Sequence, residues 1–463
     1  MVSFPKSKPP MSFFDGVPAG AAEDPDRKVI VIGAGAAGLS AARVLRDQGC
    51  EVVVLEGRDR VGGRTNTITV GDGLVDEGAN WIHNGPANPL CQLAADAGLE
   101  TNKDDLANPL ALTIFDKVSG RGVHPAKILY PFVRSGRVLY RYSNERLGAV
   151  HDEASLAERL DCEIGRVRGE TNRRFFRSVL RTLVDLAAAT DSKDLHPNAF
   201  ALNPVDLTAT DYVITGGFRG LVERLADGLD IRLRTTVEAI RYHDDGVSVV
   251  TTDGSYDGSH VIVTVPLGVL KTDMIQFDPP LPATKLAAID TVGMGVVEKI
   301  ILTFDQPFWR TKPEKPRSLL YISDVLGDFP AFVDSTSSAG CPTLVAFLAG
   351  QQADEMAQDP QRFIDRASEV LEEIFPDGYR APTAMHVTTW GTDPYSLGSY
   401  SAPTIGVTAD DYEQLAEPVA GRVLFAGEAT YREHAGFVEG AMGSGVREAR
   451  RILGHEADLD FAR

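Results

Sequence analysis

The stretch that decides the fold runs from Lys28 to Arg60 and reads KVIVIGAGAAGLSAARVLRDQGCEVVVLEGRDR. A β-branched run, Val29–Ile32, meets a glycine-rich turn; an Ala/Leu-rich segment follows, then a second apolar run, Val52–Leu55, ending on Glu56. That order predicts strand, turn, helix, strand. Gly33, Gly35 and Gly38 fill GxGxxG at the junction, each for its own reason. The first permits the tight turn, the second lets backbone approach a pyrophosphate, and the third lets the helix pack closely on the strand. Ala37 lies where the helix begins, and a helix N-terminus offers unpaired N–H groups and a positive dipole end to phosphates. Glu56 follows roughly 20 residues on, where an acid accepts from a ribose hydroxyl. The motif predicts dinucleotide binding; a purely structural βαβ unit is the plainer alternative.

The whole chain has 463 residues, more than one core of ~250–300 residues holds, which predicts two or three domains. A composition of 43% hydrophobic and 24% charged residues excludes a disordered, collagen-like or disulfide-stapled chain. Lys and Arg number 46 against 65 Asp and Glu, a net charge of −19. Nucleic acid and anionic membrane both need a positive footprint, so neither is expected as the main partner, whereas a cationic substrate is compatible. Cys50, Cys91, Cys162 and Cys341 are widely spaced, with no CxxC and no zinc pattern, so no metal site is expected. Residues 1–27 are rich in Pro, Gly and charge and lack an apolar signal core; they read as a flexible tail. No run of ~18 apolar residues predicts a membrane span, and a cytoplasmic location is the default expectation.

After Glu56 the chain places Arg58, Arg60 and Arg64 around Gly62–Gly63, then DEGANWIHNG, which contains Gly78, Ala79, Asn80, Trp81 and His83. Arginines beside a glycine turn can close over a pyrophosphate from the side opposite the helix; a solvated basic loop is the bland reading. This extension resembles the flavin-dependent amine oxidases, in which GGR follows the ribose acid and a GANW-like segment lies beside the flavin ring. The resemblance favours FAD over NAD, and no second GxGxxG offers a nicotinamide site. Electrons are therefore expected to leave to oxygen or another acceptor rather than arrive from NADPH. Ile231–Leu270 alternates apolar and polar residues, with turn signals at Asp244–Gly246 and Asp253–Gly254, and looks like the return of the chain to the FAD domain. By resemblance Val237 bonds the adenine through its backbone. Near the C-terminus, GRVLFAGEATYREHAGFVEGAMGSGVREARRIL supplies Gly427 and Glu428, matching the family's second flavin-contacting motif. It also supplies a helix from about Val438 with small residues on one face, whose N-terminus would stabilise an anionic reduced flavin. No cysteine follows Cys341, where the monoamine oxidases attach their flavin, so non-covalent FAD is expected.

The expected fold is α/β, a Rossmann-type FAD-binding domain with an interleaved α+β substrate-binding domain. Residues 28–100, 215–275 and 390–455 would build the first domain, 101–214 and 276–389 the second, and 456–463 a tail. Between the motifs, 152–190 reads as a helical stretch, 298–308 as a strand following a Gly293–Gly295 turn, and 361–374 as a helix. The resemblance places Lys299 where the family's lysine bonds through water to flavin N5. It places Trp390 near the ring, and makes Tyr400 and Phe437 the aromatic cage that holds an amine against it. His83 matches the histidine of animal-type acetylpolyamine and spermine oxidases; plant-type enzymes carry glutamate there. Phe437 departs from the tyrosine usual in plant-type polyamine oxidases. The resemblance implies polyamine oxidation: hydride transfer to N5, imine hydrolysis, and oxygen reduction to hydrogen peroxide. A primary-amine or L-amino-acid oxidase, a peptide-lysine demethylase-like protein and an FAD-binding isomerase or desaturase remain as alternatives. Carboxylates for a distal ammonium are not identified by any motif.

Overall fold

In the computed structural model, which describes residues 27–104, 111–144, 154–203, 210–312, 315, 317–323, 329 and 331–455, the opening stretch forms strand Lys28–Ile32, helix Ala36–Asp47 and strand Glu51–Leu55. The two strands pair in parallel, with Ile32 opposite Leu55. Asp230–Arg232 pairs beyond Glu51–Leu55, and His260–Val263 followed by Val423–Phe425 extends the other side. One five-stranded parallel sheet thus draws on the beginning, middle and end of the chain. Successive side chains of a strand face opposite ways. Val29 and Val31 enter a core with Leu39, Leu45, Met442 and Val446, while Ile30 and Ile32 enter another with Val249, Leu415 and Val419. Both faces are covered, which is why each strand reads as an unbroken apolar run.

Helices Ala36–Asp47 and Val438–Ile452 cover the first face together. A Cβ at Gly445 would stand 2.1 Å from the Ala37 carbonyl oxygen, so the two helices cross backbone against backbone. That contact is the cause of the small-residue face seen in the sequence. The second face carries an antiparallel ladder, Val237–His243, Gly246–Thr251 and Gly254–Gly258, turning where the Asp/Gly signals predicted.

A second, seven-stranded sheet runs in the order Ala384–Val387, Val297–Thr303, Thr343–Ala349, Ala331–Asp334, Leu319–Ile322, Thr113–Asp116 and Arg121–Val123. Its neighbours are antiparallel except for Leu319–Ile322 beside Thr113–Asp116. Helix Pro360–Ile374 closes one face through Phe363, Ala367, Val370 and Leu371. Helices Ala126–Ser143 and Glu170–Ala188 reach the other through Ile128, Phe175 and Val179.

Three expectations change. The single helical stretch over 152–190 is two helices, Leu156–Gly165 and Glu170–Ala188, with Gly169 at φ +82° between them. The strand read as 298–308 is Val297–Thr303; beyond it Phe304, Phe308 and Trp309 fold onto one another edge to face. Gly293–Gly295 is a short strand, not a turn, pairing with Tyr400–Ala402 so that Gly295 faces Tyr400. The packing there demands glycine, because a Cβ on Gly295 would lie 2.6 Å from Ala189. The expected helix 361–374 spans Pro360–Ile374, capped by the Asp359 side chain. The expected tails lie outside the described residues except for Arg27, as do the first two residues of 152–190. Among the described residues, no helix is long and apolar enough to cross a membrane.

Candidate active site

A cavity of about 710 Å³ opens along the C-terminal ends of the parallel strands and continues beneath the seven-stranded sheet. Every residue singled out in the sequence for a cofactor or for chemistry lines it, except Gly38 and Arg60. At Gly38 a Cβ would lie 1.9 Å from the Gly33 carbonyl oxygen. Its glycine serves the close strand-to-helix packing expected of the third glycine, outside the cavity lining. Arg60 turns back on its own loop and donates to the Gly63 carbonyl at 2.9 Å, so it braces the glycine turn from outside the cavity.

The donor set fits a dinucleotide. Gly33 and Gly63 adopt φ of +102° and +56°, and Gly427 +138°. A Cβ at Gly427 would meet nothing within 4 Å, and one at Gly35 only the Gly62 carbonyl oxygen at 3.9 Å, so open space lies above both. The first i→i−4 bond of helix Ala36–Asp47 runs from Leu39 to Gly35, leaving the N–H groups before it facing the cavity. Helix Val438–Ile452 begins the same way, with Phe437 as its N-cap and Ala441 N–H donating to the Phe437 carbonyl. Val237, near the far end, is buried in the same wall.

The charged residues hold one another. Glu56 accepts from the N–H groups of Ala34 at 2.7 Å and Arg58 at 2.8 Å, and a carboxylate keeps further lone pairs for a hydroxyl. Arg58 does not hang free over the cavity: it donates to Asp393 and Ser396 and lies over the Tyr395 ring. Arg64 donates to Glu428 at 2.9 Å and to the Ser399 carbonyl. Glu428 also accepts from Ser401 Oγ and Gly436 N–H, so the first and last motifs are bolted together at this carboxylate. Trp390 donates to the Glu77 carbonyl.

Lys299 lies buried on strand Val297–Thr303. Its Nζ donates to the carbonyls of Asp76 and Gly78 and to Asn80 Oδ1, and it lies 5.3 Å from the Phe347 ring centre. Burial pulls its ammonium below the ordinary lysine range, against the charges of Asp76, Glu77 and Glu298. Trp81 stacks on Phe347 at 5.5 Å. The Tyr400 hydroxyl donates to the Leu186 carbonyl, and burial raises its pKa far above the ordinary phenol. Phe437 meets His83 edge to face at 5.0 Å.

His83 Nδ1 lies 3.0 Å from Asp211 Oδ1. Burial disfavours its charged form, yet the hydrogen bond and charge of Asp211, joined by the charge of Glu439, leave its pKa above the ordinary histidine value. Asp211 and Glu439 line the cavity, as does Glu433; none was found by motif. Asp211 precedes the short strand Tyr212–Ile214 and carries no periodic signal. Glu439 did carry one, an acid in the first turn of the final helix. Phe347 and Leu186, which touch Lys299 and Tyr400, belong to no motif in the sequence.

A dinucleotide-type crevice continuous with a largely apolar cavity is the arrangement the family comparison accounts for. The family model for flavin containing amine oxidoreductases matches residues 36–453, and the chain belongs to that family. It is 34% identical over 454 residues to Lysine-specific histone demethylase 1 homolog 2 of Arabidopsis thaliana, covering 93% of this chain and 59% of that protein. It thus spans about three fifths of that relative. It is 33% identical over 446 residues to Polyamine oxidase 4 of Oryza sativa subsp. japonica, covering 92% of this chain and 89% of that protein. A solved structure of putrescine oxidase bound to putrescine superposes with a TM-score of 0.77 at 22% identity, over 93% of this chain and 99% of that one, which establishes the amine oxidase fold.

Proposed function

We propose that the chain binds FAD non-covalently and oxidises a di- or polyamine: a secondary amine R–CH2–NH–R′, with oxygen and water, gives the aldehyde R–CHO, the shorter amine R′–NH2 and hydrogen peroxide. When bound, the flavin supplies the hydride acceptor and passes two electrons to oxygen. The observation that carries the polyamine reading is the carboxylate group of Asp211 and Glu439 around His83 and Phe437, on the same cavity as Lys299 and Tyr400. These acids pair with an ammonium distal to the reacting nitrogen. Tyr400 and Phe437 give the reacting amine apolar walls, which favour its neutral, oxidisable form, and the Tyr400–Leu186 bond fixes one ring's orientation. Lys299, pinned by three acceptors, holds a proton donor at a fixed place beside the GANW segment.

The test is an anaerobic panel of spermine, spermidine, acetylated polyamines, monoamines and L-amino acids against the yellow holoprotein. Bleaching by a polyamine at lower concentration than by any monoamine supports the reading, and bleaching by L-amino acids alone defeats it. A second reading, oxidation of a methylated lysine side chain, is favoured by the identity to the demethylase homolog. A methyl-lysine peptide in the same panel decides between the two.

A further inference from the structure

The cavity is not uniform along its length. Its lining carboxylates are Glu56, Glu77, Glu428, Asp211, Glu433 and Glu439. Glu56 binds backbone, Glu77 binds His386 and Glu428 binds Arg64. Asp211, bonded to His83 at 3.0 Å, and Glu439, 3.8 Å from His434 Nδ1, gather beside His83 and Phe437, each with carboxylate oxygens left to accept from a ligand. Another part of the wall, reached from Tyr400 through its bond to Leu186, is built by the second sheet and the helices on it. Val179 and Leu183 come one turn apart from helix Glu170–Ala188, Leu320 and Val333 from neighbouring strands, Leu112 from the chain before strand Thr113–Asp116, and Phe132 from helix Ala126–Ser143. No lining residue from these segments is ionisable. Four of the six are buried, at 3% exposure for Val179, 6% for Leu112 and Val333, and 7% for Leu320.

An ammonium placed against these walls loses its hydration and gains no counter-charge from the described residues that line them, so it is disfavoured there. A free polyamine has cations at both ends, and among the described lining residues acids gather beside His83 and none lies on the walls around Leu183 and Leu320. Resting on the amine-oxidase reading above, we infer that the substrate is an asymmetric amine. One arm bears an ammonium that pairs with Asp211 and Glu439; the other is an unbranched apolar chain that fills the Leu183–Leu320 chamber, with the reacting nitrogen between them at Tyr400 and Phe437. Chemically this is an N-alkylated diamine. The chamber sets specificity by burying methylenes, and each buried methylene tightens binding about four-fold until the chamber is full.

The holoenzyme is titrated anaerobically with N-alkyl-1,3-diaminopropanes from propyl to decyl, with spermidine as the doubly cationic comparison. The dissociation constant is read from the saturation of the flavin-bleaching rate. The expected result is affinity rising about four-fold per methylene and then levelling, with spermidine weaker than the longer alkyl diamines. Affinity that is flat or falls with chain length, or spermidine as tight as the best alkyl diamine, overturns the inference while leaving the amine oxidase standing. Bleaching by no amine overturns both. Leu320→Asp places a carboxylate in the chamber and should flatten the chain-length series while strengthening spermidine. Leu183→Gln, at a less buried position, should weaken the same slope and serves if the first variant does not fold. An unchanged slope in a folded variant also overturns the assignment.

Discussion

Lys299 concentrates the tension of the site in one amine: three acceptors suit its charged form, and burial resists it. Lys299→Met keeps the length and removes the donor. The expected outcome is oxidation slowed by about 10²-fold, the scale of a lost acid–base group, with circular dichroism unchanged; full turnover in stopped-flow would remove this lysine from the chemistry. His83 offers a pH test. Its folded pKa is raised, so its pairing with Asp211 stabilises fully below the unfolded value near ~6.5 and fades as pH rises through the folded value. With 30% of the His83 side chain exposed, solvent screens part of the effect. Asp211→Asn should lower the imidazole pKa by NMR, and its stability deficit should shrink as pH rises through neutrality; a deficit constant with pH would refute the pairing. At this scale the sequence was informative where chemistry is local. GAGAAG, GGR, GANWIH and GEAT each hold their residues within a few positions, so their placement needed no tertiary knowledge. Asp211 beside His83 joins residues 128 positions apart, and nothing in the composition around Asp211 announces it.

Among the elements, the crossing of helices Ala36–Asp47 and Val438–Ile452 does the most to position the cofactor crevice, since both N-termini open onto it. Gly445→Ala puts a methyl where the Ala37 carbonyl oxygen stands 2.1 Å away, and both partners are backbone, so one helix must move. Destabilisation of about 1–3 kcal/mol is expected, as for overpacking, with more flavin lost on gel filtration. Normal retention and an unchanged urea midpoint would show that the crossing yields without cost. Helices and parallel strands were readable because their apolar patterns match their periods over many residues. The short pairing of Gly293–Gly295 with Tyr400–Ala402 was not: three residues with two glycines show no alternation, and their strand character comes entirely from a partner more than a hundred residues away. Strand Val297–Thr303 was read too long because Phe304 and Phe308 flank Asp305–Pro307 with aromatic residues, although their side chains pack as an aromatic knot outside the ladder.

For the whole molecule, stability should carry the mark of a buried lysine that does not line the cavity. Lys285 donates to the carbonyls of Gln414 and Leu415 and lies 4.0 Å from the Phe425 ring centre. Burial pushes its pKa down to about 7 from 10.5. Between those values the unfolded chain holds a proton that the fold does not, so this lysine makes stability rise with pH across that window. In Lys285→Met the rise in urea midpoint from pH 7 toward 10 should be shallower, and an identical slope would count against a depressed lysine. The net charge of −19 pointed to cationic ligands without saying where they bind. The fold gathers Asp211 and Glu439 beside His83 and lines another part of the cavity with apolar side chains, a distribution that no sum over the sequence contains. One further property follows from the strand continuity around Val296. Gly295 is locked to Tyr400, and four residues on, Lys299 is locked into the seven-stranded sheet. The peptide between them acts as a fixed gauge: the lysine and the tyrosine cannot drift apart while ligands come and go. Adaptation to ligands of different bulk then falls to the helices carrying Leu183 and Phe132. Hydrogen exchange on amine binding should change along Glu170–Ala188 and stay constant along Gly293–Thr303, and the opposite pattern would make the gauge the moving part.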